Sequence, residues 1–148
     1  MRKKVPSSQK GNQKKVIPNA KNTTDNHHIV WRFEWRDMDG PFAFQLARKD
    51  FQHQEVLQKV IDYGNMTWAE IKKQTHDESK SKHHFLDMDG LSREAKERFD
   101  AKGFSGVYED SLFSLALQNT LRIIGIRVNE YFYAVWYDPN HKFYPSKR

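Results

Sequence analysis

From Ile29 the chain alternates, with Ile29, Trp31, Phe33 and Trp35 on one side and Val30, Arg32, Glu34 and Arg36 on the other. That period of two is the pattern of a half-buried strand. Asp37-Met38-Asp39-Gly40-Pro41 supplies turn residues, and Phe42, Phe44 and Leu46 resume the alternation, which predicts an opening hairpin. The period then lengthens to that of a helix. Asp50 stands at a cap position, Phe51, Leu57, Val60 and Ile61 form an apolar stripe, and Gly64 ends the segment. Thr67-Trp68-Ala69-Glu70 has capping-box spacing, in which hydroxyl and carboxylate each satisfy an otherwise free backbone amide of a second, short helix. Residues 74–82 are polar and read as a loop.

His83-His84-Phe85-Leu86 predicts a short strand, and Ser92 caps a charged helix from Arg93 to Lys102 that turns Ala95 and Phe99 inward and ends at Gly103. Three strands follow, Leu112–Leu117, Leu121–Val128 and Tyr131–Tyr137, the last two dominated by β-branched and aromatic residues and joined by Asn129-Glu130. This order predicts an α+β fold with a mostly antiparallel sheet and two to three helices. A chain of 148 residues is enough for one such domain.

Charge divides the chain. Residues 1–28 hold seven cations and one acid, whereas residues 29–148 hold 18 of each. The first segment has only Val5, Val16 and Ile17 as larger aliphatic residues, too little apolar surface to offset the entropy of ordering. It is expected to be a disordered basic arm at 1–28, either a solubilising tail or a phosphate-contacting one, ahead of a single domain at 29–148. Within that domain residues 29–110 carry a net charge of −3 and residues 111–148 a net charge of +3. No run approaches the roughly 18 apolar residues needed to cross a bilayer, and the basic start lacks the apolar stretch of a secretory signal. The expectation is a cytoplasmic protein without a membrane partner.

With no cysteine in the chain, disulfides, thiol nucleophiles and thiolate zinc sites are excluded. There is no G-x-S-x-G elbow, P-loop or G-x-G-x-x-G cradle. His83 and His84 are adjacent, so on a strand they point to opposite faces and do not share an ion. The echo Asp37-Met38-Asp39-Gly40 and Asp87-Met88-Asp89-Gly90 lacks the further oxygen ligands of a calcium loop and reads as two acidic turns. No metal or cofactor is expected.

The candidate chemistry lies in the closing hairpin. A two-residue loop at Asn129-Glu130 sets Gly125 opposite Ala134 and Arg122 opposite Tyr137, so that Arg122 shares a face with Tyr133, Val135 and Tyr137. Arg127 takes the other face, roughly 16 Å away at about 3.3 Å per residue. The turn Asp138-Pro139-Asn140 then returns His141, Lys142 and Tyr144 towards Arg122. Such a cluster suits cleavage of an RNA phosphodiester by its own 2′-hydroxyl: Arg122 and Lys142 hold the phosphate, and His141 or Tyr144 moves protons. Tyr137 would stack an unpaired base, and Arg2, Lys3, Lys4, Lys14, Lys15, Lys147 and Arg148 would contact phosphates. The same residues also read as packing: strand aromatics in the core, a turn, and an arginine at a strand end.

The segments Leu91-Ser92-Arg93-Glu94-Ala95-Lys96-Glu97-Arg98-Phe99, Leu112-Phe113-Ser114-Leu115, Arg122-Ile123-Ile124-Gly125-Ile126-Arg127 and Phe132-Tyr133-Ala134-Val135-Trp136-Tyr137-Asp138-Pro139-Asn140-His141-Lys142 resemble a family of small uncharacterised bacterial proteins ending in a W-x-D-P-x-H-K pattern. More distantly, a helix followed by three antiparallel strands, with an arginine opening the middle one, is similar to the RelE/HigB class of ribosome-dependent mRNA-cleaving toxins. That resemblance implies a RelE-like C-terminal half, a metal-independent endoribonuclease of toxin type acting through Arg122, His141, Lys142 and Tyr144, and RNA or the ribosome and an antitoxin protein as partners. The extra N-terminal elements and the neutral body depart from that class. The rival expectation is a non-catalytic nucleic-acid or protein-binding accessory module.

Overall fold

The computed structural model describes residues 24–74 and 82–145. Arg2, Lys3, Lys4, Lys14, Lys15, Lys147 and Arg148 lie outside these residues. Five strands form one sheet: β1 (Val30–Arg32), β2 (His84–Phe85), β3 (Leu112–Ala116), β4 (Arg122–Val128) and β5 (Tyr131–Asp138). Their spatial order is β1-β5-β4-β3-β2, with β1 parallel to β5 and the remaining pairs antiparallel. Three helices accompany them: α1 (His53–Gly64), α2 (Trp68–Lys73) and α3 (Arg93–Ala101). The fold is α+β, as the order of patterns implied.

Both faces of the sheet are covered, so the central strands are apolar on both sides rather than alternating. On one face Val56 and Tyr63 of α1 and Trp68 and Ile71 of α2 pack against Phe113, Leu115, Ile123, Phe132 and Ala134. On the other, Ala95 and Phe99 of α3 join Phe42, Phe104 and Phe143 over Leu112, Ile124, Ile126, Val135 and Trp136. The capping box of α2 forms as read from sequence: the Thr67 hydroxyl accepts from the Glu70 amide at 3.2 Å and the Glu70 carboxylate accepts from the Thr67 amide at 2.9 Å. Ser92 likewise caps α3, accepting from the Ala95 amide at 3.2 Å.

The opening hairpin does not form. β1 stops at Arg32, Arg36 donates its amide back to the Phe33 carbonyl, and the chain bends around the edge of β5. Trp31 consequently joins the α1/α2 face, while Trp35 stacks on Tyr133 on the α3 side, ring centroids 3.8 Å apart. Residues 37–44 then act as an edge cover, with Asp37 N–H donating to the Val135 carbonyl and Tyr137 N–H donating to the Phe42 carbonyl. A strand edge left open would present unpaired backbone groups, and this loop satisfies them.

Two further boundaries move. Asp50 does not cap α1, which begins at His53 behind an N-cap, Gln52, that makes no side-chain bond; the Asp50 carboxylate is held instead by Arg48 at 2.8 and 2.9 Å. The folded body also begins before Ile29. Asp25 pairs with Lys72 at 2.8 Å and Arg127 at 2.9 Å, and the Trp68 amide donates to the His27 carbonyl, so residues 24–28 belong to it.

Candidate functional site

The two-residue loop at Asn129-Glu130 sets the hairpin register as expected at its near end: Val128 faces Tyr131 and Gly125 faces Ala134, with Asn129 in the left-handed region at φ 58°. Beyond that point the register slips. Ile124 faces Trp136, leaving Val135 as an extra residue, so Ile123 rather than Arg122 faces Tyr137, and Arg122 faces Asp138. A bulge inserts one residue and reverses which side chains share a face. Glycine at 125 is what the slip requires, because a Cβ there would run into the Tyr133 carbonyl.

This slip moves Tyr137 opposite Ile123 and sets Arg122 opposite Asp138. Tyr137 is buried on the α1 face, stacked on Phe51 with centroids 4.4 Å apart; its hydroxyl donates to the Asp50 carbonyl at 2.9 Å and accepts from the Gln52 amide at 2.8 Å. It is a core residue and offers no face to a base. Arg122 points its guanidinium at the carbonyls of Asn119 and Leu121, at 2.8 and 3.0 Å. Burial lowers its pKa, opposed by the nearby Asp138 and Tyr63.

The turn after β5 is organised by Asp138, whose buried carboxylate accepts from the amides of Lys142 at 3.0 Å and Phe143 at 2.8 Å. His141 occupies the left-handed region at φ 57°, and Phe143 anchors the turn between Phe42 and Trp136. Tyr144 is carried to the β2 side, where its ring covers Gly90 so closely that a Cβ would overlap it, and lies 6.1 Å from the His84 ring. Lys142 alone of the four predicted catalytic residues lines the cleft at this end. That cleft, about 300 Å³, is also lined by Asp138, Pro139, Asn140, Arg48 and Glu94. Arg48 is already committed to Asp50 and to the Ala43 carbonyl at 2.9 Å. An exposed ammonium and a carboxylate therefore face a small cleft whose remaining polar groups close the loops around it.

Arg127 and His83 are held by structural partners. Fully buried Arg127 lies over the Trp68 ring, 4.0 Å from its centroid, and pairs with Asp25. Burial lowers the Arg127 pKa, and the Asp25 hydrogen bond opposes it. His83 is buried: its Nδ1 accepts from the Ala116 amide at 3.0 Å and its Nε2 meets the Gln74 side-chain oxygen at 2.7 Å, whereas His84 is exposed and turned towards Tyr144. No group of three or more metal-ligating side chains is assembled among the described residues.

An apolar feature lies elsewhere. A groove of about 450 Å³ runs between α1 and the loop from Phe33 to Phe51, lined by Phe33, Phe44, Leu46, Phe51, Val56, Leu57 and Val60, with Arg36 and His53 the only polar liners among the described residues. Part of its lining protrudes into solvent: Leu57 is 61% exposed, Leu46 53% and Phe33 38%, and Ile61, one turn on from Leu57, is 50% exposed. Of the apolar stripe Phe51, Leu57, Val60 and Ile61 read from the sequence, Phe51 is buried and Val60 packs partly buried against the core, whereas Leu57 and Ile61 face water. The side chains of α1 that are buried, Val56 and Tyr63, form a second row turned about 130° from Leu57 and Ile61 at 3.6 residues per turn. The signal was present as two apolar rows on one helix, a wider face than one packing contact covers.

No protein-family model, curated protein sequence or solved structure matches this chain.

Proposed function

We propose that this protein is a non-catalytic accessory module that works by binding protein through the groove between α1 and the Phe33–Phe51 loop. The observation supporting this reading is an apolar trough whose lining includes the exposed Phe33, Leu46 and Leu57. Soluble chains rarely leave such surface uncovered unless a partner covers it. A small molecule is a poorer occupant, because binding sites of that kind enclose most of the ligand, whereas here the flanking Phe33, Leu46 and Leu57 are exposed. Nucleic acid is poorer still, since Arg36 and His53 are the only polar groups lining the trough among the described residues and phosphate recognition needs clustered cations.

The chain contains no cysteine, so Leu46→Cys accepts a single photo-activatable crosslinker in otherwise native protein. Adducts with protein are expected from position 46, are expected to vanish when Leu57→Glu is added, and are not expected from Val107→Cys, an equally exposed apolar position outside the groove. The reading fails if adduct formation is indifferent to Leu57→Glu. It is replaced by the endoribonuclease alternative if the purified protein cleaves RNA and Lys142→Ala or His141→Ala abolishes cleavage with the fold intact.

A further inference from the structure

Resting on that reading of the groove, we infer that the partner segment seated there carries an Asp or Glu side chain beside its apolar residues, and that this carboxylate pairs with Arg36. Among the described residues, Arg32, Arg48, Arg93, Arg98 and Arg127 each pair with an Asp or Glu of this chain. Arg122 gives its guanidinium to two carbonyls instead. Arg36 has neither arrangement. No described carboxylate pairs with it, and its guanidinium makes one long hydrogen bond, Nη1 donating to the Phe44 carbonyl at 3.4 Å. Most of its N–H donors are left for another acceptor.

The other polar liner is committed, since His53 Nε2 donates to the Leu46 carbonyl at 2.7 Å. What the trough offers a partner, among the described residues, is therefore a single guanidinium set beside Phe33, Phe44, Leu46 and Leu57. A wholly apolar segment laid over it would strip water from the guanidinium and return no acceptor, and an unpaired buried charge is costly. A carboxylate replaces the lost hydrogen bonds, and its two oxygens match the planar fork of the arginine. A phosphoryl group brings nearly twice the charge and suits a cluster of cations better than one. A basic segment meets like charge. Complementarity in charge thus selects an acidic residue flanked by apolar ones.

A random peptide display library panned against the full chain is the probe. Peptides held by the wild type and lost on Leu57→Glu define groove binders, and these are expected to share an Asp or Glu at a fixed spacing from aliphatic or aromatic residues. Panning on Arg36→Glu is expected to return Lys or Arg at that position. For one synthesised groove binder, exchanging the acid for its amide is expected to weaken binding to the wild type roughly 10- to 100-fold and to leave binding to Arg36→Gln unchanged. Arg36→Gln keeps a donor for the Phe44 carbonyl, so this comparison decides the matter even if Arg36→Glu does not fold. Groove binders with no acid in common overturn the inference, as does an acid-to-amide loss of equal size on wild type and Arg36→Gln; either result leaves the docking reading standing. A library that yields no peptide sensitive to Leu57→Glu overturns both.

Discussion

Replacing Asp37 by alanine is the sharpest test of what holds the loop cover to the sheet. The carboxylate is 2% exposed and accepts four hydrogen bonds: from Arg98 Nε at 2.8 Å and Nη2 at 2.9 Å, from the Trp136 indole at 2.8 Å and from the Asp39 amide at 3.1 Å. Removing it strands the indole N–H of fully buried Trp136, at a cost of about 1–3 kcal/mol. Arg98 keeps a quarter of its side chain in water and rehydrates, so its share is smaller than the ~3–5 kcal/mol of a fully buried broken pair. A total near 3 kcal/mol follows, and with a urea m-value near 1.5 kcal/mol/M the unfolding midpoint falls by about 2 M. Asp37→Asn keeps the volume and one acceptor and is expected to lose about half as much.

The pH dependence of this difference has a definite sign. Burial by itself raises the Asp37 carboxyl, but Arg98, the Trp136 indole and the Asp39 amide overcome it and hold the group below the ordinary carboxylate range. A depressed folded-state value means that the stabilisation is complete above the unfolded value of about 3.9 and is lost as pH falls through the folded one. The gap between wild type and Asp37→Asn is therefore constant from pH 7 to 5 and narrows below pH 4. An Asp37→Ala midpoint within about 0.3 M of wild type at pH 7, where the stranded indole should cost at least 1 kcal/mol, refutes the account.

Gly125→Ala drives a Cβ into the Tyr133 carbonyl at the bulge and is expected to cost about 1–3 kcal/mol in urea unfolding, with loss of the slipped register visible as changed amide shifts on β5. Thr67→Ala removes the hydroxyl half of the capping box and should cost about 1 kcal/mol, read most directly as faster hydrogen exchange in α2. Tyr137→Phe leaves the Gln52 amide without its acceptor and the stack on Phe51 intact, so a loss of about 1 kcal/mol with unchanged near-UV aromatic packing is expected. Leu57→Glu, at a side chain mostly in water, should change stability by less than about 0.5 kcal/mol; a larger loss would place Leu57 in the monomer's own core.

Wherever a local rule sufficed, the amino-acid order by itself determined the structure. Thr67 with Glu70, Ser92 ahead of Arg93 and Asn129-Glu130 between two β-branched strands each settle a cap or turn within three or four residues, and all three form as read. The outcome differs where two distant parts of the chain compete for one backbone. Ile29 to Trp35 carries a strand's alternation, yet the parallel pairing of β1 with β5 lasts three residues before the chain is drawn around the edge to seat Asp37 under Trp136 and Arg98. One extra residue at Val135 then decides the candidate site, because a bulge depends on what lies across and above the strand and leaves no mark in its own period of two. It turns Tyr137 into the core and sets Arg122 against Asp138. The groove has the same origin. The order of residues wrote two apolar rows on α1, and only the packing of that helix against the sheet chose which row is buried and which is left facing water.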